Sequence, residues 1–199
     1  MPNAFVTAFV TVLILLEPLS NVPTFLSLTQ NREQERARIA LIAVVAAAIV
    51  LGIFALIGEA LLAYLKITIE DLQVAGGIVL LVVALQLMSG REAEAVAGDT
   101  NVGVVPLGIP FLAGPGTIVA LLVLLDEYKK TSDRAEILGA VALALVIIYV
   151  LFRFATAIAR RLRPSLSRAI TRVVGLLIMA IAVHFIASAI GEWFRNGVS

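Results

Sequence analysis

Residues 16 to 25, Leu-Glu-Pro-Leu-Ser-Asn-Val-Pro-Thr-Phe, set an acid, two prolines and two small polar groups inside an apolar run. That run begins at Ala4 and resumes through Phe25, Leu26 and Leu28. A carboxylate at membrane depth is costly enough to mark a site, which makes Glu17 the first group with chemistry to offer. Pro18 and Pro23 each remove a backbone donor and clash with the preceding turn, so the run is read as a helix broken part-way. A second stretch of this kind spans Pro106 to Thr117, Pro-Leu-Gly-Ile-Pro-Phe-Leu-Ala-Gly-Pro-Gly-Thr, with three prolines and three glycines in twelve residues.

A helix that stops inside a membrane leaves C=O groups unpaired where its first half ends and N–H groups unpaired where its second half begins. The half-helix N-terminus suits an anion and the half-helix C-terminus a cation. Two such breaks meeting at the midplane complement a zwitterion, and an amino acid is the small solute with both charges on adjacent atoms. The resumed half-helices are expected near Asn21 or Val22 and near Gly116 or Thr117. Their amides, with the side chains of Ser20, Asn21 and Thr117, would take the carboxylate. The carbonyls before Pro18 and Pro110, with the Glu17 carboxylate, would take the ammonium group. Pro18, Pro23 and Pro115 shape the breaks, while Gly114 and Gly116 allow close approach of backbone to ligand. Glu17 itself has three readings: an ammonium counter-ion, a proton carrier, or a structural cap of the broken helix. Gln86 and His184 stand at corresponding depths of two other spans and are candidates for a polar or proton relay with Glu17. Their plainer role is that of packed, hydrogen-bonded groups.

Other chemistries find little support. No Ser or Thr has a histidine or acid at a nucleophile's spacing and no phosphate loop is present, so no enzyme is expected. One histidine and no cysteine argue against a transition-metal site, and no cofactor is expected. Basic-aromatic clusters are missing, so no nucleic-acid partner is expected.

The elements that must hold these residues follow from composition. The chain of 199 residues is 61% hydrophobic and 15% charged, with a mean hydropathy of +1.05, whereas soluble domains run about 25% charged. A lipid bilayer is therefore its partner. Six apolar spans are read at about 4–29, 39–62, 70–88, 102–125, 136–159 and 170–190, each near the roughly 20 residues needed to cross about 30 Å. The first and fourth are the interrupted ones. Displacing the chain on itself by 97 to 99 residues superposes Pro18 on Pro115 and Val74-Ala75-Gly76 on Val173-Val174-Gly175. The pattern is broken, whole, whole, twice over.

Three spans per half is an odd number, so the halves enter the membrane in opposite directions, as in transporters built from inverted repeats. The fold class is all-α integral membrane, with six transmembrane helices as two inverted three-helix repeats and helices 1 and 4 discontinuous near the midplane. Residues 1–199 form a single membrane domain: a first repeat over 1–90, a linker over 91–101 and a second repeat over 102–199. Five basic residues fall on the side of the termini and ten on the other, so both termini are expected outside the cytoplasm of a plasma or inner membrane. No Lys or Arg precedes Arg32, so the apolar start is not read as a signal peptide.

Three segments carry a resemblance: Glu17-Pro18-Leu19-Ser20-Asn21-Val22-Pro23-Thr24-Phe25, Ala75-Gly76-Gly77, and Ile109-Pro110-Phe111-Leu112-Ala113-Gly114-Pro115-Gly116-Thr117-Ile118. They resemble the MarC family of six-span membrane proteins, in order and over essentially the whole chain. The family includes SnatA-type transporters of glycine and other small neutral amino acids and is related to the lysine-exporter superfamily. The resemblance implies a small neutral amino acid transporter, with protons as a candidate coupling ion. Family members commonly read Asp-Pro-Ile/Leu-Gly where this chain has Glu17-Pro18-Leu19-Ser20. Glutamate keeps the charge but moves it by about 1.5 Å, and Ser20 stands where a glycine is usual; both departures bear on substrate identity more than on fold. The alternatives are an exporter of another small solute or metabolite, and a non-transporting membrane scaffold or sensor. The oligomeric state is left open.

Overall fold

The computed structural model describes residues 3–18, 21–29, 32–89, 112–161 and 164–196, and all its regular structure is helical. Ser20, the 91–101 linker and the fourth span up to Phe111 lie outside the described residues. The helices are α1 (Ala4–Leu15), α2 (Asn21–Leu28), α3 (Arg36–Leu65), α4 (Ile69–Ser89), α5 (Pro115–Glu127), α6 (Thr131–Arg153), α7 (Ala155–Arg161) and α8 (Pro164–Asn196). Among the described residues, four segments are long and apolar enough to cross a membrane: Glu33–Leu65, Ile69–Ser89, Thr131–Arg153 and Ala169–Arg195.

Local chemistry sets the ends. Asn3 caps α1 by accepting a hydrogen bond from the Phe5 amide at 2.9 Å. α3 ends in a left-handed residue, Lys66 (φ 56°), with Lys66 N–H donating to Ala63 at 3.2 Å and Ile67 N–H to Leu62 at 3.0 Å. That pair of bonds is a Schellman motif. Two residues on, Thr68 and Asp71 exchange side-chain to backbone bonds of 2.9 and 3.2 Å, the reciprocal box that starts α4. α5 starts with Pro115 in its first turn, where the missing N–H has no helical acceptor to lose.

Two boundaries differ from the sequence reading. The fifth span, expected as one piece over 136–159, divides at Phe154 (φ -106°, ψ 16°) into α6 and the short α7. The sixth helix begins at Pro164 inside the basic run, six residues before the apolar span, because proline is favoured at a helix start and arginine propagates a helix well, neither of which a hydropathy limit registers.

Three contacts fix directions. The Phe5 amide meets Glu136 Oε2 at 3.3 Å, so α1 and α6 start at the same end of the bundle. Arg36, at the start of α3, bonds Thr156 just past the end of α6, and Arg134, at the start of α6, pairs with Glu59 near the end of α3. α3 and α6 are therefore antiparallel. The buried face of α6, Ile137, Ala140, Val141, Ala144, Leu145, Ile148 and Phe152, repeats every three to four residues, and its small members let the neighbours approach.

α4 and α8 form the most extensive helix pair among the described elements. Glycine makes this possible. A Cβ on Gly77 would stand 2.6 Å from Ile186 Cγ1 and 2.9 Å from the Ala182 carbonyl oxygen, and one on Gly76 would stand 2.5 Å from Val119 Cγ1. Both glycines are packing positions. Gly77→Ala should lower thermal stability in detergent by about 1–3 kcal/mol, because the Ala182 oxygen is backbone and cannot rotate away. Gly191→Ala in α8, with nothing within 4 Å, should be neutral or stabilising by up to about 1 kcal/mol. Equal effects in melting curves of the two variants would contradict this packing.

Candidate functional site

The stop of α1 repeats that of α3 with one bond missing. Glu17 takes the left-handed position (φ 46°), and its N–H donates to Ile14 at 3.1 Å, as Lys66 does to Ala63. The next residue should complete the motif by donating to Leu13, but it is Pro18, which has no N–H. The helix halts with a carbonyl end that its own chain does not close.

Asn21 takes over part of this role. Its side-chain Nδ2 donates to the Leu16 carbonyl at 2.7 Å, and its backbone N–H donates to the Glu17 carbonyl at 3.0 Å. Because a carbonyl only accepts, the amide nitrogen must face it, which turns the side-chain oxygen away from Leu16. One asparagine thus clasps the end of α1 and starts α2.

Glu17 and Asn21 are 9% and 6% exposed. Among the described residues none donates a hydrogen bond to the Glu17 carboxylate and no cation pairs with it. An acid so placed is expensive to bury, which marks Glu17 as the group of interest at this corner.

The second break contributes the start of α5. Gly114 is extended (φ -72°, ψ 164°), its carbonyl accepts from Ile118 N–H at 3.0 Å, and Thr117 is 3% exposed. The expected helix starts near Asn21 and near Gly116 are found at Asn21 and Pro115. Leu16 and Val22 from the first break share one continuous buried cluster with Leu112 and Ala113 from the second. The two breaks thus border the same buried core.

Other members of the expected set fall differently. Pro18 is half-buried and Pro23 is exposed on α2. Pro115 is exposed and Gly114 half-buried. The space left by Gly116 is filled: a Cβ there would stand 2.3 Å from Leu80 Cδ2 of α4, so this glycine serves helix packing. Gln86 and His184 are exposed, off the buried stripes of α4 and α8 and neither packed nor drawn in beside Glu17.

Sequence reading passed over a column beneath the break. Asn21, Phe25 and Thr29 follow at four-residue spacing on one face of α2. Phe25 stacks on Phe152 with ring centroids 4.5 Å apart and planes 9° apart, both rings fully buried. Thr29, also fully buried, donates to the Phe25 carbonyl at 2.7 Å and accepts from Arg36 Nε at 3.2 Å. That four-residue spacing is the signal the sequence carries for the column, and the prolines on either side of Asn21 obscure it.

Known proteins place the chain. Residues 2–194 match the family model described as MarC family integral membrane protein. The chain belongs to the MarC family. This MarC protein is 33% identical over 195 residues to a UPF0056 membrane protein of Methanocaldococcus jannaschii, covering 94% of this chain and 95% of the relative. It is 32% identical to the UPF0056 membrane protein YhcE of Escherichia coli, over 92% of this chain and 89% of that one. The UPF0056 inner membrane protein YhgN of Escherichia coli is 28% identical over 98% of this chain and the whole of that relative. No solved structure matches the MarC chain.

The left-handed backbone at Glu17 gives a test of what is held under strain. A non-glycine residue in this region costs roughly 1–3 kcal/mol, and its buried carboxylate adds to that. Glu17→Gly should therefore raise the melting temperature by about 2–4 °C while removing the group on which the site depends. A fall in melting temperature would show that the carboxylate stabilises the fold.

Proposed function

We propose that this MarC protein is a secondary transporter of small neutral amino acids, glycine- or alanine-like, working by alternating access rather than as an enzyme. The observation that carries the reading is Glu17: a nine-tenths buried carboxylate, unpaired among the described residues, at the corner of a broken membrane helix. In this reading the two breaks supply the complements of a zwitterion. The acid and the carbonyl end of α1 suit an ammonium group, and the starts of α2 and α5, with Asn21 and Thr117, suit a carboxylate.

The same reading takes the chain as six spans in two inverted halves in an inner membrane with both termini outside, and relates the site to that of SnatA-type carriers and the lysine-exporter superfamily. The antiparallel course of α3 and α6 supports it, as do the ten basic residues on one side and five on the other. The inner-membrane naming of the YhgN relative fits.

A second reading draws on the same burial. A scaffold that moves nothing would also seal Glu17 away, whereas in a carrier this is the occluded form between two openings. Flux separates them. Protein in liposomes should take up or exchange labelled glycine or alanine, and Glu17→Gln should reduce this about tenfold or more through loss of a charge-assisted contact. If Glu17 binds the ammonium group, the variant raises the half-saturating concentration; if it carries a proton, the variant exchanges substrate but loses its response to a pH gradient. No flux of any small amino acid, with or without a pH gradient, and no ligand-induced rise in melting temperature would leave the scaffold reading standing.

A further inference from the structure

Arg36 and Arg134 are 98 residues apart, the displacement that superposes the two halves of the chain, and each ties the same three kinds of element together. Arg36 stands at the start of α3. Its Nε donates to Thr29 Oγ1 at the end of α2, at 3.2 Å, its Nη1 to Thr156 Oγ1 past the end of α6, at 3.0 Å, and its Nη2 to Glu33 Oε1, at 3.1 Å. Arg134 stands at the start of α6. Its Nη2 donates to the Leu125 carbonyl near the end of α5, at 3.5 Å, and pairs with Glu59 near the end of α3. Thr156 and Glu59 are 97 residues apart, and Leu125 and Thr29 are 96 apart, so the partners correspond as closely as the arginines do.

In both places an arginine at the start of a membrane-crossing helix joins the far end of a short helix, α2 or α5, to a third element, α7 for Arg36 and α3 for Arg134. α3 and α6 run in opposite directions, so the two clusters lie at opposite ends of the bundle. At the Arg36 end the path to the break is continuous: Arg36 to Thr29, Thr29 to the Phe25 carbonyl, Phe25 stacked on Phe152, and Asn21 one turn further on. At the Arg134 end the half-helix so tied carries Thr117.

We propose that Arg36 and Arg134 are the latches of two gates, one on each face of the membrane, and that each opens its own face alone. This inference rests on the alternating-access reading. Both latches are closed here, in keeping with the burial of Glu17, and release of the Arg36 latch frees α2 from α7 while release of the Arg134 latch frees α5 from α3. The arginines are positioning residues and touch no substrate.

The chain has no cysteine, so Val22→Cys, buried beside the break, supplies a single reporter thiol. Its labelling by a membrane-impermeant maleimide is compared in right-side-out and inverted vesicles. Arg36→Ala should raise labelling about tenfold from one face only, the shift expected when a charge-assisted bond that holds only the closed form is lost. Arg134→Ala should raise it from the opposite face only. With the orientation proposed above, Arg36 guards the cytoplasmic face. Should Arg36→Ala not yield monodisperse protein, Thr156→Val removes one acceptor, leaves the other Arg36 bonds in place, and should act on the same face to a smaller extent. Labelling that rises equally from both faces, or from neither, overturns the latches. Because labelling needs no flux, side-specific labelling without amino-acid flux would sink the transport reading and keep the gates. Flux with labelling indifferent to both arginines would do the reverse.

Discussion

Backbone polar groups inside a bilayer have no water to turn to, and the bonds made by Glu17 and Asn21 answer to that constraint. Pro18 stops the first helix and withholds the N–H that would have sealed its end. The Asn21 side chain returns a donor to Leu16 at 2.7 Å, and its amide binds the Glu17 carbonyl, so the break is bridged by the residue that opens the next helix. Neither an apolar residue nor an ionised acid at 21 could make the first of these bonds. The left-handed turn, the buried carboxylate and the redirected chain all depend on that bridge.

Around it the helices divide the work. α4 and α8, joined through Gly77, form a pair whose packing needs nothing from the breaks. α3 and α6 carry the long antiparallel contact that the two arginines tie at its ends. α2 and α5 are the short pieces: at 8 and 13 residues, and about 1.5 Å per residue, each falls well short of the roughly 30 Å hydrocarbon layer. α5 is enclosed, with Val119 to Leu125 all buried, whereas α3 shows Leu41, Val45, Ile49, Ile53 and Leu56 on its outer face. A short helix enclosed beside long ones with apolar outer faces keeps its ends away from lipid.

The break was legible because proline chemistry is local: Pro18 and Pro115 announce where helices cannot continue, and the helix starts fall within a residue or two of where they pointed. The burial of Glu17, Asn21 and Thr117 followed from their place in apolar runs. What was hidden depends on contacts between distant segments. Nothing near Thr29 foretells Arg36, and nothing near Arg36 foretells Thr156, 120 residues away. Gly116 misled for the same reason: a glycine leaves room, and only the fold says that Leu80 occupies it. Gln86 and His184 matched in depth along their helices, but depth does not give the face, and both faces are outward. The family resemblance, read from the proline and glycine runs, stands, with the family model matching residues 2–194.

The brevity of α2 has a consequence for how its surroundings move. A helix of 8 residues is too short to persist in water on its own propensity, and this one contains Pro23 in its first turns. Its order is borrowed from Phe152, from the Thr29 to Phe25 bond and from Arg36. The position and the order of this segment are thus set by the same three contacts, so a change that loosens one loosens the other.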